Sequence, residues 1–298
     1  VSERFGWLGP ELAIAAWPAV ADEFRPFRCY GVGATEIKRT CAWDAWDKIG
    51  WDINKSILYE QQIGDCVSFG AAIAVVAVIA HEVVALQEPE RFEVPFPPYL
   101  YGISRLMKEG GNGRLRGDGS LGSWMAATIK KYGVLRANYQ GVPGYSGAVA
   151  KSWGSSKTAW SQFIDEADDH CIKTIAPINN SNDLACAITN GYYVTIASTR
   201  GYAMDLKDDK GKSWFVGRDT WPHQMSIIAV DTEPELCFYR RNQWANAHGP
   251  QLDGPAGGGW VRAEDLEAEL RDDGTECFAF SQFDGFPSEA TKPRNWYA

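Results

Sequence analysis

The sequence predicts an α+β protein in which a helical lobe precedes an antiparallel sheet lobe, with a cleft between them. Three observations carry this reading. An Ala/Val/Ile-rich stretch over residues 66–87 is apolar on most faces and reads as a central, buried helix. Two further helix patterns follow before residue 150. The β-branched and aromatic runs come later, so helices stand first and strands after, unlike the alternation of a doubly wound sheet.

Residues 1–58 carry scattered Trp, Pro and Gly with no sustained period, and read as an irregular arm packed on a core. The domain proper spans 59–298, with the helical lobe over about 59–150 and the sheet lobe over about 170–285. After the central helix, P-F-P-P-Y-L-Y-G-I-S-R-L-M-K breaks and restarts helix, its prolines placed just ahead of the new N-terminus. A glycine-rich loop over 110–122 leads to a third helix, Ser123 to Tyr132, stopped by Gly133. D-L-A-C-A-I-T-N-G reads as a short helix with a glycine stop. Y-Y-V-T-I-A-S, H-Q-M-S-I-I-A-V-D, C-F-Y-R-R-N, G-G-G-W-V-R-A and E-C-F-A-F-S read as strands.

Composition narrows the function classes. Hydrophobic residues make up 45% and charged residues 22% of the 298, an ordinary globular balance. The net charge of −9 supplies no basic stripe to displace counterions, which argues against nucleic acid as a partner. The longest apolar run, Ala71 to Ala80, ends at His81-Glu82, so no membrane span is expected. The first residues, V-S-E-R-F-G-W-L-G-P, lack a basic segment followed by an apolar one. No signal peptide is read in the chain, and a cytoplasmic or virion-associated setting is expected. Cysteines stand at 29, 41, 66, 171, 186, 237 and 277, odd in number and without a C-x-x-C pair. Mostly buried free thiols are expected, with no metal site and no cofactor.

The stretch Y-E-Q-Q-I-G-D-C-V-S-F-G-A-A, residues 59–72, sets a cysteine at the start of the central helix. Unpaired N–H groups and the helix dipole favour an anion there, as a thiolate nucleophile requires. Gly64 permits a tight approach turn, and Gln61 or Gln62 can offer a side-chain N–H to a developing oxyanion beside the backbone N–H of Cys66. Four histidines are available to pair with the thiol. His81 reads as a core or helix-end residue, His170 as a surface residue in D-E-A-D-D-H, and His248 as part of a loop. His223 opens a strand at the edge of the predicted cleft, and the next strand ends at Asn242, followed by Trp244. Antiparallel pairing brings His223 and Asn242 together.

The order Cys, His, Asn, helix first and strands after, resembles the papain-like (C1-type) cysteine peptidases from about Tyr59 to Phe280. Their Cys-to-His spacing is similar. R-N-Q-W is similar to that family's Asn-Ser-Trp motif, and G-D-G-S-L-G-S-W-M-A-A-T-I-K-K-Y-G-V to its substrate-facing glycine loop and following helix. The resemblance is nearest to divergent bacterial and bacteriophage branches. It implies Cys66 as nucleophile, His223 as acid–base partner, Asn242 as orienter of the imidazole and Trp244 as the cover over that contact. It also implies Gly119 and Ser120 as positions pairing with substrate backbone. The family's oxyanion glutamine stands six residues before the cysteine, where this chain has Glu60, so Gln61 or Gln62 takes the role with a shortened loop. Asp65 sets a carboxylate beside the thiol, and Val67 replaces a frequent aromatic.

Two functions follow. One is a thiol hydrolase, a peptidase forming an acyl-enzyme at Cys66, with a peptide or protein as substrate. The other is an inert fold of the same kind, a component of a larger assembly such as a virion, docked through the N-terminal arm. Acyl transfer to an amine is a third, disfavoured by Asn242 where an Asp is usual.

Overall fold

The central helix organises the molecule because it has no polar stripe to give to solvent. The computed structural model describes residues 4–30, 36–249 and 251–287. Residues 288–298, read from the sequence as the end of the domain, and the side chain of Cys29 lie outside the described part. In chain order the helices are α1 (Pro10–Ala16), α2 (Ala42–Ile49), α3 (Cys66–Ala85), α4 (Pro97–Leu106), α5 (Gly122–Tyr132), α6 (Gly147–Trp153), α7 (Ile164–Asp168), α8 (Ser181–Thr189) and α9 (Ala263–Leu270). The strands are β1 (Thr40–Cys41), β2 (Glu90–Arg91), β3 (Ile172–Pro177), β4 (Tyr193–Tyr202), β5 (Lys207–Asp209), β6 (Lys212–Trp214), β7 (Gly217–Asp231), β8 (Cys237–Arg241), β9 (Gly258–Arg262), β10 (Glu276–Phe283) and β11 (Phe286–Pro287). This is the mixed α+β architecture expected from the order of patterns.

Every residue of α3 from Cys66 to Ala80 is buried. The helix is long and apolar enough by composition to cross a membrane, but 83% of its most apolar window is enclosed by the protein's own α2, α4, α5, β4, β7 and β10. The described strands form one large sheet in the order β3-β10-β4-β7-β8-β9-β6-β5, with β1 pairing separately on β7, and a small β11-β2 pair. Pairing is antiparallel except for β6 with β9. β7 is the long central strand, in register with β4 at Ser198↔His223 and with β8 at Ser226↔Arg241.

Two expectations are corrected. Residues 4–58 are not wholly irregular: α1, α2 and β1 lie within them, and Trp7, Phe24, Phe27, Trp46, Ile53 and Leu58 join the main core. A short α2 was missed because its apolar face is made of tryptophans spaced with charges, weak helix formers that win through burial. His170 is buried, not on the surface, its ring set beside the Asp284 and Gly285 carbonyls and Phe283. The acidic run before it forms α7, which turns that histidine inward at its C-terminal end. Among the described cysteines all six are free: Cys41, Cys66, Cys186, Cys237 and Cys277 are buried and Cys171 is half-buried.

Candidate active site

Cys66 opens α3 directly after a turn in which the Asp65 carbonyl accepts from the backbone of Ser68 and Phe69 and from the Ser68 hydroxyl. The helix start is stapled to β7 by two polar side chains on one face of that strand. Gln224 donates its backbone N–H to the Cys66 sulfur at 3.4 Å and its Nε2 to the Val67 carbonyl at 3.0 Å. Ser226 donates to the Gly70 carbonyl at 2.9 Å. A side chain at position 70 would press on Gln224, so the glycine lets strand and helix meet. The residue before Gln224 is His223, and the staple therefore sets imidazole and thiol on adjoining elements. Sequence reading put His223 at the start of its strand; β7 begins earlier, at Gly217, and His223 lies within it.

His223 Nε2 lies 3.0 Å from Asn242 Oδ1, just past the end of β8. The Asn242 oxygen also accepts the Gln243 N–H at 2.8 Å, and the Asn242 backbone N–H is tied to Gly257 O. The other imidazole nitrogen, Nδ1, is buried without a partner. Trp244 packs on the imidazole with ring centroids 4.6 Å apart and is itself covered by Trp221 and Phe5. Residues 19 positions apart on β7 and beyond β8 thus form a shielded histidine–amide contact.

Of the three residues near the oxyanion position, Gln61 alone turns inward. It is fully buried, and its amide nitrogen donates to Arg4 O at 2.7 Å and Ile63 O at 2.8 Å. Glu60 points outward to Arg4, and Gln62 caps Gly147 N with its side-chain oxygen. Asp65 is buried beside Tyr145, whose hydroxyl donates to its Oδ2 at 3.2 Å. Burial raises this carboxyl well above the usual range, and the charge it carries when ionised pushes the neighbouring Cys66 thiol up.

The cleft is filled by the chain's own N-terminal segment. Ser120 donates to Gly6 O at 2.8 Å and accepts from Leu8 N at 3.1 Å, while Trp7 N reaches the carbonyl of Pro222, the residue before His223, at 3.4 Å. The Trp7 indole N–H donates to Glu276 at 2.7 Å; that buried carboxylate also accepts the Gly122 and Ser123 N–H groups at the start of α5. Phe5 lies against His223, Trp221 and Trp244. Ser120 therefore has a backbone free to pair with an extended chain, and residues 6–8 use it. Gly119 does not: its N–H is taken by the Tyr101 hydroxyl and its carbonyl by Arg105, so this position forms the floor, against Leu8.

Enclosure of the pair, to which Phe5 and Trp7 contribute, governs the charge state. Burial pushes the Cys66 thiol up to about 12, against the opposing pull of the backbone N–H groups of Gln224, Gly6 and Val67. Burial likewise pushes His223 down to about 3, outweighing its bond to Asn242. With the cleft covered, the pair is thiol and neutral imidazole. A thiolate–imidazolium pair needs the cleft opened to water or to a polar substrate.

Sequence reading missed Gln224, Ser226, Glu276, His248 and the segment 4–8. Gln224 and Ser226 had a signal, two polar residues at period 2 within an apolar strand, which reads as a solvent face and here faces α3.

No protein-family model matches the chain, and no curated protein matches it. Solved structures do. Xylellain, a cysteine protease from Xylella fastidiosa, aligns over 94% of this chain and 97% of its own with a TM-score of 0.61 at 14% identity. Digestive procathepsin L 3 of Tenebrio molitor larval midgut aligns over 94% of this chain and 77% of its own, TM-score 0.56 at 13% identity. Procathepsin B S9 from Trypanosoma congolense aligns over 83% and 78%, TM-score 0.54 at 10% identity. At these identities the likeness shows the fold: this chain has the papain-like α+β fold.

Proposed function

We propose that the chain is a thiol hydrolase, specifically a cysteine peptidase, latent in the form described here. The observation that carries this is the His223–Asn242 contact with Nδ1 of the imidazole left unpartnered, on the strand that is stapled to the Cys66 helix start. In the proposed reaction His223 Nδ1 takes the thiol proton. The Cys66 sulfur attacks the scissile carbonyl, and the oxyanion is met by Gln61 Nε2 and the Cys66 backbone N–H. His223 then gives its proton to the leaving amine, and water, deprotonated by the same imidazole, releases the acid and restores the thiol. Residues 4–8 hold the site closed, since they pair with Ser120 and Pro222 and take up the Gln61 amide through Arg4 O.

The same closure motivates a second reading, a papain-like fold without catalysis serving in an assembly such as a virion, in which residues 4–8 never leave the cleft. An epoxysuccinyl thiol probe separates them, applied to the full chain and to Gly6→Leu, with Cys66→Ala and His223→Ala as controls. The hydrolase reading expects labelling confined to Cys66, faster in Gly6→Leu, dependent on His223, and persisting below the free-thiol pKa of about 8.5. A Cys66 that reacts no faster than an ordinary thiol in the opened variant sinks it and favours the assembly component.

A further inference from the structure

His248 lies in the loop after Asn242, yet it is buried, and its Nε2 sits 2.9 Å from Asn242 Nδ2 while its Nδ1 sits 3.2 Å from Met204 O. The loop is shaped to return it. Ala247 N bonds Trp244 O, Gly249 N bonds Asn246 O, and Ala245, with a φ of 52°, bonds back to Tyr59 O. The Phe215 ring packs perpendicular to the imidazole, with centroids 4.8 Å apart.

The protons along this chain follow from its two ends. Met204 O can only accept, so His248 carries its hydrogen on Nδ1, and its Nε2 offers a lone pair. Asn242 must then present Nδ2 to His248. At the other end the Gln243 N–H can only donate, which again requires Asn242 Oδ1 on the side of His223. His223 accordingly holds its hydrogen on Nε2 and leaves the Nδ1 lone pair free. A neutral imidazole has only these two forms, and here both rings are specified by backbone groups. Burial, together with the adjoining Arg241 cation, keeps His248 uncharged.

We infer that His248 is a positioning residue that holds the Asn242 amide with its oxygen toward His223 and so selects the His223 form whose Nδ1 can accept a proton. Its bearing on catalysis rests on the proposed roles of Cys66 and His223; the hydrogen-bond chain itself does not.

The test is ring-nitrogen NMR of the full chain labelled with 15N-histidine at pH 7. His223 is expected as the Nε2–H form and His248 as the Nδ1–H form. His248→Gln, which keeps an acceptor for Asn242 and a donor for Met204, is expected to leave His223 unchanged. His248→Phe, which keeps the packing on Phe215 and loses the acceptor, leaves only the Gln243 N–H to orient the amide and is expected to bring in a measurable population of the other His223 form. If a turnover assay is in hand, kcat should fall in His248→Phe on the order of tenfold with KM unchanged, a part of what a positioned acid–base group supplies, and His248→Gln should restore it. A His248 found as the Nε2–H form in the unaltered chain overturns the inference, even if no variant folds. So does an unchanged His223 in folded His248→Phe. An inert Cys66 with the expected ring forms would end the catalytic reading and leave the positioning intact.

Discussion

Gly6 packs on Gly64 so closely that a β-carbon on Gly6 would overlap the Gly64 carbonyl. The turn that delivers Cys66 to its helix and the segment that covers it thus touch backbone to backbone. Substituting Gly6 should therefore lift residues 4–8 from the cleft while α3 and the sheet stay folded. Gly6→Leu is expected to raise the rate of Cys66 alkylation at pH 7 by on the order of tenfold or more, equivalent to about 1.4 kcal/mol or more off closure. Mass-spectrometric kinetics of labelling checks this, with circular dichroism as the control for folding.

Glu276 accepts three N–H groups from buried surroundings: the Trp7 indole and the first backbone donors of α5. Hydrogen bonds to a charged acceptor contribute roughly 1.5–3 kcal/mol each at most, and their loss is only partly made up by an amide. Glu276→Gln is expected to lower unfolding stability by about 1–3 kcal/mol and to loosen Trp7. A denaturation midpoint unchanged from the parent would contradict this.

Arg240 and Glu269 form a two-pronged pair at 2.7 and 2.8 Å, with side chains 1% and 0% exposed, and Tyr202 and Ser198 bond into it. Ser198 is the residue opposite His223 across β4 and β7, so the pair underlies the site. Removing one partner strands the other charge, and Glu269→Gln should cost roughly 3–5 kcal/mol. Urea unfolding measures it; a loss below 1 kcal/mol would show that the pair is not needed.

Against an open form in which imidazole and thiol titrate at their ordinary values, with no ion pair between them, closure should be most stable between about pH 6.5 and 9. His223 is depressed to about 3 from an ordinary 6.5, so the closed form binds fewer protons than the open one and loses ground as pH falls below 6.5. Cys66 is raised to about 12 from 9.0, so the closed form keeps a proton the open form releases, and closure weakens as pH rises above 9. Glu276, raised by burial, acts against the acid effect over the carboxylate range. Hydrogen-exchange protection of Trp7 and Leu8, corrected for intrinsic rate, should peak inside this window. The acid limb should flatten in His223→Gln, and an acid limb of equal slope in that variant would refute the assignment.

The placement of Cys66 at a helix start and of His223 beside Asn242 was legible before any fold was known. A cysteine at the head of an all-apolar helix has little reason to follow Ile-Gly-Asp unless that helix start is used, and the strand order carried His223 toward Asn242. Which of Glu60, Gln61 and Gln62 faces inward was not legible, since the backbone direction of a loop is decided by what it packs on: here the Gln61 N–H to Gln243 O, and Arg4 drawing Glu60 outward.

The sequence by itself determined the local features: a buried central helix, a set of strands, a cysteine at a helix N-terminus, and a histidine and an asparagine on successive strands. These depend on periodicity and on neighbours a few residues apart. The tertiary structure alone decided that burial raises the Asp65 carboxyl, that His248 returns to the Asn242 amide, and that residues 4–8 cross the cleft to pair with Ser120 and Pro222. Each of those depends on burial or on contacts between distant parts of the chain, and neither quantity is written in the residues' order.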